Sequence, residues 1–109
     1  MIKVTFYKDS DGGYLGFRFR EHAGYAKAGH DIVCAAVSAL CISTVNSIEA
    51  FTEDAVRVEA DEKAGMLRLK FIDTVSRESR LLMDSLKLGL EGIERDNNAE
   101  YISVTTKEV

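Results

Sequence analysis

Apolar residues Ile2, Val4 and Phe6 alternate with Lys3, Thr5 and Tyr7, and Leu15, Phe17 and Phe19 alternate with Gly16, Arg18 and Arg20. A period of two marks a half-buried strand. Between the two runs, Lys8-Asp9-Ser10-Asp11-Gly12-Gly13 supplies the turn residues of a hairpin. From Asp31 to about Phe51 the period changes, with Val33, Val37, Leu40, Cys41, Val45 and Ile48 recurring at three- and four-residue steps, the spacing of a helix. The first half of that helix, Ile32 to Ile42, is apolar nearly all round, which predicts burial on most sides.

The pattern then repeats. Val56-Val58-Ala60 alternates with Arg57 and Glu59, a turn follows at Asp61-Glu62-Lys63-Ala64-Gly65, and Leu67-Leu69-Phe71 alternates with Arg68 and Lys70. Ser76 is the expected N-cap of a second helix, with Glu78 placed to favour its dipole and Leu82, Leu86, Leu90 and Ile93 drawing its apolar stripe. Asn97-Asn98 ends that helix, and Tyr101 to Thr105 makes a last strand. The order ββα ββα β predicts an α+β fold, a mostly antiparallel sheet with two helices on one or both faces, in a single domain over residues 1–109.

Composition adds limits. With 46% hydrophobic and 29% charged residues the chain reads as a globular protein, and no apolar run approaches the length expected of a membrane span. The N-terminal run has the alternation of a strand and lacks the apolar core of a signal peptide, so a cytoplasmic protein is expected. A net charge of −4 argues against a general nucleic-acid binder, although a local basic patch is compatible with a negative total, and Arg18, Arg20 and Lys27 lie close in sequence to the chemistry below. Cys34 and Cys41 on one helix would stand about 10.5 Å apart along its axis, too far to form a disulfide.

Both histidines and one cysteine fall within His22 to Ser38. A thiol attacks as thiolate, and an imidazole and the free N–H groups of a helix start both favour that form. His22 ends a strand-like run, a loop bearing Gly24 and Gly29 follows, and Asp31 as N-cap would put Cys34 in the first helical turn. Cys34 is then the expected nucleophile and His22 its base; Ser38, one turn on, can reach the site or bond back to the helix. Other readings stay open: Cys34 as a plain core cysteine, His30 as a solvated loop residue, Asp31 orienting His22 rather than capping, or a zinc site from His22, His30, Asp31 and Cys34. That last set lacks the paired ligand spacing of known zinc sites. Cys41, two turns deeper, reads as core.

At these residues the sequence resembles a known family. His22-Ala23, a short Gly-bearing loop and Gly29-His30-Asp31-Ile32-Val33-Cys34-Ala35-Ala36-Val37-Ser38 look like the signature of the ribosomal-processing cysteine proteases called Prp, and Ser43 to Ser47 and Gly89 to Asp96 extend the likeness. The resemblance implies a cytoplasmic, homodimeric Cys-His endopeptidase that removes an apolar, Phe-containing N-terminal extension from the ribosomal protein bL27, with no cofactor, no metal, no membrane and no direct nucleic-acid contact. His22 matches the base, Cys34 the nucleophile, and Asp31 and Ser38 supporting positions. Glu21 departs from the pattern, standing where the family has Gly. In the implied mechanism Gly24 and Gly29 are hinges of a loop from Ala23 to His30 that closes on substrate. The competing function is a non-catalytic module that docks on ribosomal or other basic proteins.

Overall fold

Alternation produces five strands: β1 (Ile2–Lys8), β2 (Tyr14–Glu21), β3 (Val56–Asp61), β4 (Met66–Phe71) and β5 (Ile102–Glu108). Helical spacing produces α1 (His30–Phe51) and α2 (Arg77–Ile93), the latter continued by a π-helical turn at Glu94–Asn98. The computed structural model describes residues 1–21 and 30–109, Asn97 by its backbone alone. The element order is the expected ββα ββα β. The sheet runs β3-β4-β2-β1-β5, antiparallel except where β5 returns parallel to β1 with Ile2 opposite Ile102, so the sheet is mixed.

Both helices lie on one face. Ile2, Val4, Phe6, Phe17, Phe19, Leu69 and Phe71 point inward and join Val33, Val37, Cys41, Val45 and Ile48 of α1 and Met83, Leu86 and Leu90 of α2 in one buried cluster. Ser76 caps α2 as expected, its hydroxyl accepting from the Ser79 N–H at 3.1 Å and donating to Asp54 at 2.7 Å. The two helices pack against each other at Gly89, where a β-carbon would make ordinary contact with Leu40 at 3.5 Å.

The structure corrects several expectations. The register of the first hairpin shifts between Tyr7 and Lys8, so Tyr14 turns into the core and Leu15 is only half-buried. Such a shift inserts a residue on one strand and changes which side chains face in. β3 is an edge strand beyond the helices' cover, which leaves Val58 and Ala60 exposed. The first half of α1 is not buried on most sides, because only its sheet-facing stripe is covered: Ile32 is 77% and Ile42 51% exposed. α1 also has the length and mean hydropathy, 1.7, of a membrane-crossing segment, contrary to the sequence expectation. Its polar residues between Asp31 and Glu49 are all uncharged, so they break the apolar pattern without lowering hydropathy much; the fold uses the helix as the cover of the sheet.

Candidate active site

β2 and α1 meet at the thiol. Because strand side chains alternate, Glu21 falls on the same face as Phe17 and Phe19, beneath α1. Its Oε2 accepts the Cys34 S–H at 3.2 Å, and its Oε1 stands 3.4 Å from His30 Nε2, an ion pair when the imidazole is protonated. The turn of the second hairpin holds the backbone of Glu21 from behind. Gly65 accepts the Glu21 N–H at 2.9 Å, and at φ +63° it sits where a β-carbon would come within 3.1 Å of the Glu21 β-carbon. Ser38 completes the cluster, its hydroxyl 4.0 Å from the Cys34 sulfur.

His30 is not a solvated loop residue. It is the first residue of α1, its side chain is 12% exposed, and its ring meets Tyr101 edge-on at 6.3 Å. Nδ1 is buried, with the Asp31 carboxylate at 3.8 Å, beyond hydrogen-bond reach. Asp31 is correspondingly not the N-cap. With the helix beginning at His30, Asp31 lies inside the first turn and its carboxylate is 94% exposed, so it acts on the helix end through its charge. Cys34 moves with this shift to the fifth helical residue, past the free N–H groups of the first turn.

The electrostatics differ from the expectation of a thiol primed as thiolate. Burial pushes the Cys34 thiol above its ordinary range, and the hydrogen bond and negative charge of Glu21 push it further, with Ser38 opposing weakly. A thiol that donates to a carboxylate is held protonated. The decisive residue, Glu21, was visible in the sequence as a departure from the family pattern, and strand parity puts it on the inner face, but its place under Cys34 comes only from the meeting of β2 with α1. His22, Gly24 and Gly29 lie outside the described residues. Among the described residues no group of three His, Cys, Asp or Glu side chains has the arrangement of a metal site.

Beside the thiol a hollow of about 290 Å³ opens between α1 and the second hairpin, lined by Phe19, Ile42, Met66 and Leu67 with Glu21 and Ser38 at the cysteine side. An extended peptide laid along this hollow could place an apolar side chain in it while its backbone passes the sulfur.

The family model described as cysteine protease Prp matches residues 1–103. The ribosomal processing cysteine protease Prp of Bacillus subtilis is 32% identical over 110 residues, covering 97% of each chain. The crystal structure of an essential ribosomal processing protease Prp from S. aureus in complex with a substrate peptide superposes with a TM-score of 0.91 at 28% identity, covering 98% of this chain and 100% of that one. A second S. aureus Prp structure, with a covalently linked product peptide, superposes at 0.85 and 30% identity. The five-stranded sheet, the two helices on one face and the cysteine at the head of the first helix are thus the frame of a known peptidase group, and this chain belongs to the cysteine protease Prp family.

Proposed function

We propose that the protein is a cytoplasmic endopeptidase that trims the N-terminal extension of the ribosomal protein bL27, with Cys34 as nucleophile and His22 as base. The observation that carries the reading is the position of Cys34: a half-buried thiol in the first turns of α1, bonded to Glu21, the last residue of β2, which together with Ser38 borders a largely apolar hollow. Support for the substrate comes from the relatives, which are named as ribosomal processing enzymes.

In the reaction His22 takes the Cys34 proton, the sulfur bonds to the scissile carbonyl carbon, and backbone N–H groups of the first turn of α1 receive the oxyanion. His22 then returns the proton to the leaving amine as the C–N bond breaks, and water hydrolyses the thioester. Glu21 must release the thiol first, because its carboxylate competes with the base for the same proton. The apolar hollow suits a Phe-containing segment. Asp31 adds negative charge to the first turn, and Ser38 bonds the sulfur weakly.

The homodimer belongs to the same reading. Ile32, Ile42 and Phe51 are exposed on α1, and a groove of about 420 Å³ runs along Ala39, Ser43, Asn46 and Ala50. A second copy packed on that face would remove the apolar surface from water. Light scattering that shows a monomer at micromolar concentration refutes this part.

The test is cleavage of a peptide that carries the organism's own bL27 extension. Wild type should cut once, after the apolar segment, and His22→Ala should lose activity as completely as Cys34→Ala. His30→Gln separates the histidines: most activity should survive, since His30 Nε2 is engaged by Glu21. Full loss in His30→Gln with retention in His22→Ala would reverse the assignment of the base.

A further inference from the structure

The helices cover one face of the sheet, and the other face carries an unusual charge pattern. Strand register sets Lys3 opposite Arg20, Arg18 opposite Arg68, and Arg57 opposite Lys70, three directly opposed like-charge pairs on four neighbouring strands. Glu59, opposite Arg68, and Asp61 are the acidic strand residues of that face. The whole chain has 18 acidic and 14 basic residues, so this face reverses the sign of the molecule. Like charges directly across a sheet destabilise it. Among the described residues none of the six cations lies within 4 Å of a carboxylate, so Glu59 and Asp61 offset this repulsion only at longer range.

The surface has shape as well as charge. A groove of about 530 Å³ runs past Arg18, Arg20 and Arg68, with Glu59 and Glu21 on its border. Arg68 also borders a second hollow of about 250 Å³, where Tyr7 and Lys70 stand beside apolar Leu15, Phe71 and Val109. Half-exposed Tyr7 stands opposite Gly16, which is itself buried and where a β-carbon would collide with the Leu69 carbonyl. Neighbouring cations are spaced about 5 to 7 Å apart, by strand separation in one direction and by alternate residues in the other. A chain with one negative charge per unit can follow that pitch.

We propose that the open face of the sheet binds a single-stranded RNA segment, with Lys3, Arg20, Arg18, Arg68, Arg57 and Lys70 neutralising phosphates and Tyr7 stacking a base. Cations at regular spacing and a half-exposed ring on the same sheet face match the phosphates and bases of a single strand. RNA is the nucleic acid selected because the relatives act in ribosomal processing. Net charge led to the opposite expectation, since it averages over two surfaces of opposite sign. The proposal does not depend on the identity of the base or of the peptide substrate.

The experiment is fluorescence anisotropy of the full chain with a labelled oligouridylate about 16 nucleotides long, with unlabelled duplex RNA and polyglutamate as competitors. Four to six phosphate contacts predict a loss of affinity of about 100-fold between about 50 and about 200 mM salt. Lys70→Glu and Arg18→Glu should each weaken binding at least about tenfold, and Tyr7→Leu should weaken it by about fivefold or more. Lys70→Glu turns the repulsive pair with Arg57 into an attractive one, so its melting temperature should hold or rise and its cleavage of a short peptide should match wild type. Absence of binding at low salt, binding indifferent to charge reversal, or equal competition by duplex RNA or polyglutamate would each overturn the proposal without touching the protease reading.

Discussion

Cys34 and Cys41 stand seven residues apart on the same helix, yet they are chemically different groups. Cys41 is completely buried among apolar side chains, and burial alone pushes its thiol up to about 12. Cys34 is half-buried and bonded to Glu21 and Ser38, and its thiol is pushed up by burial first and then by the hydrogen bond and charge of a single side chain, Glu21. A thiol shut in by packing is silent under all native conditions. One restrained by a hydrogen bond to a side chain can be released by whatever displaces that side chain, and this places control of the site at the end of β2.

The sharpest way to break the comparison is activity. Cys34→Ala should lower cleavage by at least about 10³-fold, since a covalent mechanism loses its reacting atom. Cys41→Ala should stay within about twofold of wild type, because it lies two turns away from the proposed chemistry. Equal losses at the two positions would mean that the helix as a whole, rather than one thiol, was being tested.

Alkylation probes the same contrast without substrate. Iodoacetamide should modify Cys34 of the folded protein at least about 100-fold faster than Cys41, which reacts only after local opening. The rate at Cys34 should climb with pH beyond the range of a free thiol, because a raised pKa keeps the attacking thiolate scarce at neutral pH. A plateau below pH 8, read by mass spectrometry of the modified peptide, would contradict the role given to Glu21.

Glu21→Gln is the finer version of that test. Removing the negative charge lowers the Cys34 pKa while burial continues to raise it, so alkylation near neutral pH should accelerate. Glu21→Gly, which restores the residue implied by the family pattern, should accelerate it at least as much. A slower reaction in both variants would mean that the carboxylate orients the thiol rather than restraining it.

What the sequence revealed and what it hid divide along the same line between packing and partnership. The apolar stripe of α1 through Val33, Val37, Cys41, Val45 and Ile48, and the Ser76 cap of α2, were legible because periodicity and capping are local properties. Glu21 beneath Cys34, and the inward turn of Tyr14, were not, since they depend on where the end of β2 meets α1 and on a register shift. His30 misled for the same reason. Beside Gly29 it reads as loop, and only the arrival of Glu21 and Tyr101 buries it. The opposed cations of the outer sheet face were each visible, but pairing them required the strand order.

The smallest expected effect concerns stability, through the same substitution at both positions. At position 34 a serine hydroxyl would find Glu21 as an acceptor and Ser38 nearby, so Cys34→Ser should change the unfolding free energy by less than about 0.5 kcal/mol. At position 41 the surroundings are apolar, and the one acceptor within reach is the carbonyl four residues earlier, the type of bond that Thr44 makes to Leu40 at 2.9 Å. That bond recovers only part of the cost of burying a hydroxyl, so Cys41→Ser should destabilise the fold by about 1 to 2 kcal/mol. Urea unfolding of the two variants at one pH measures the difference. Equal midpoints would show that the core around Cys41 admits a polar atom, and the contrast between a packed thiol and a partnered one would then rest on reactivity alone.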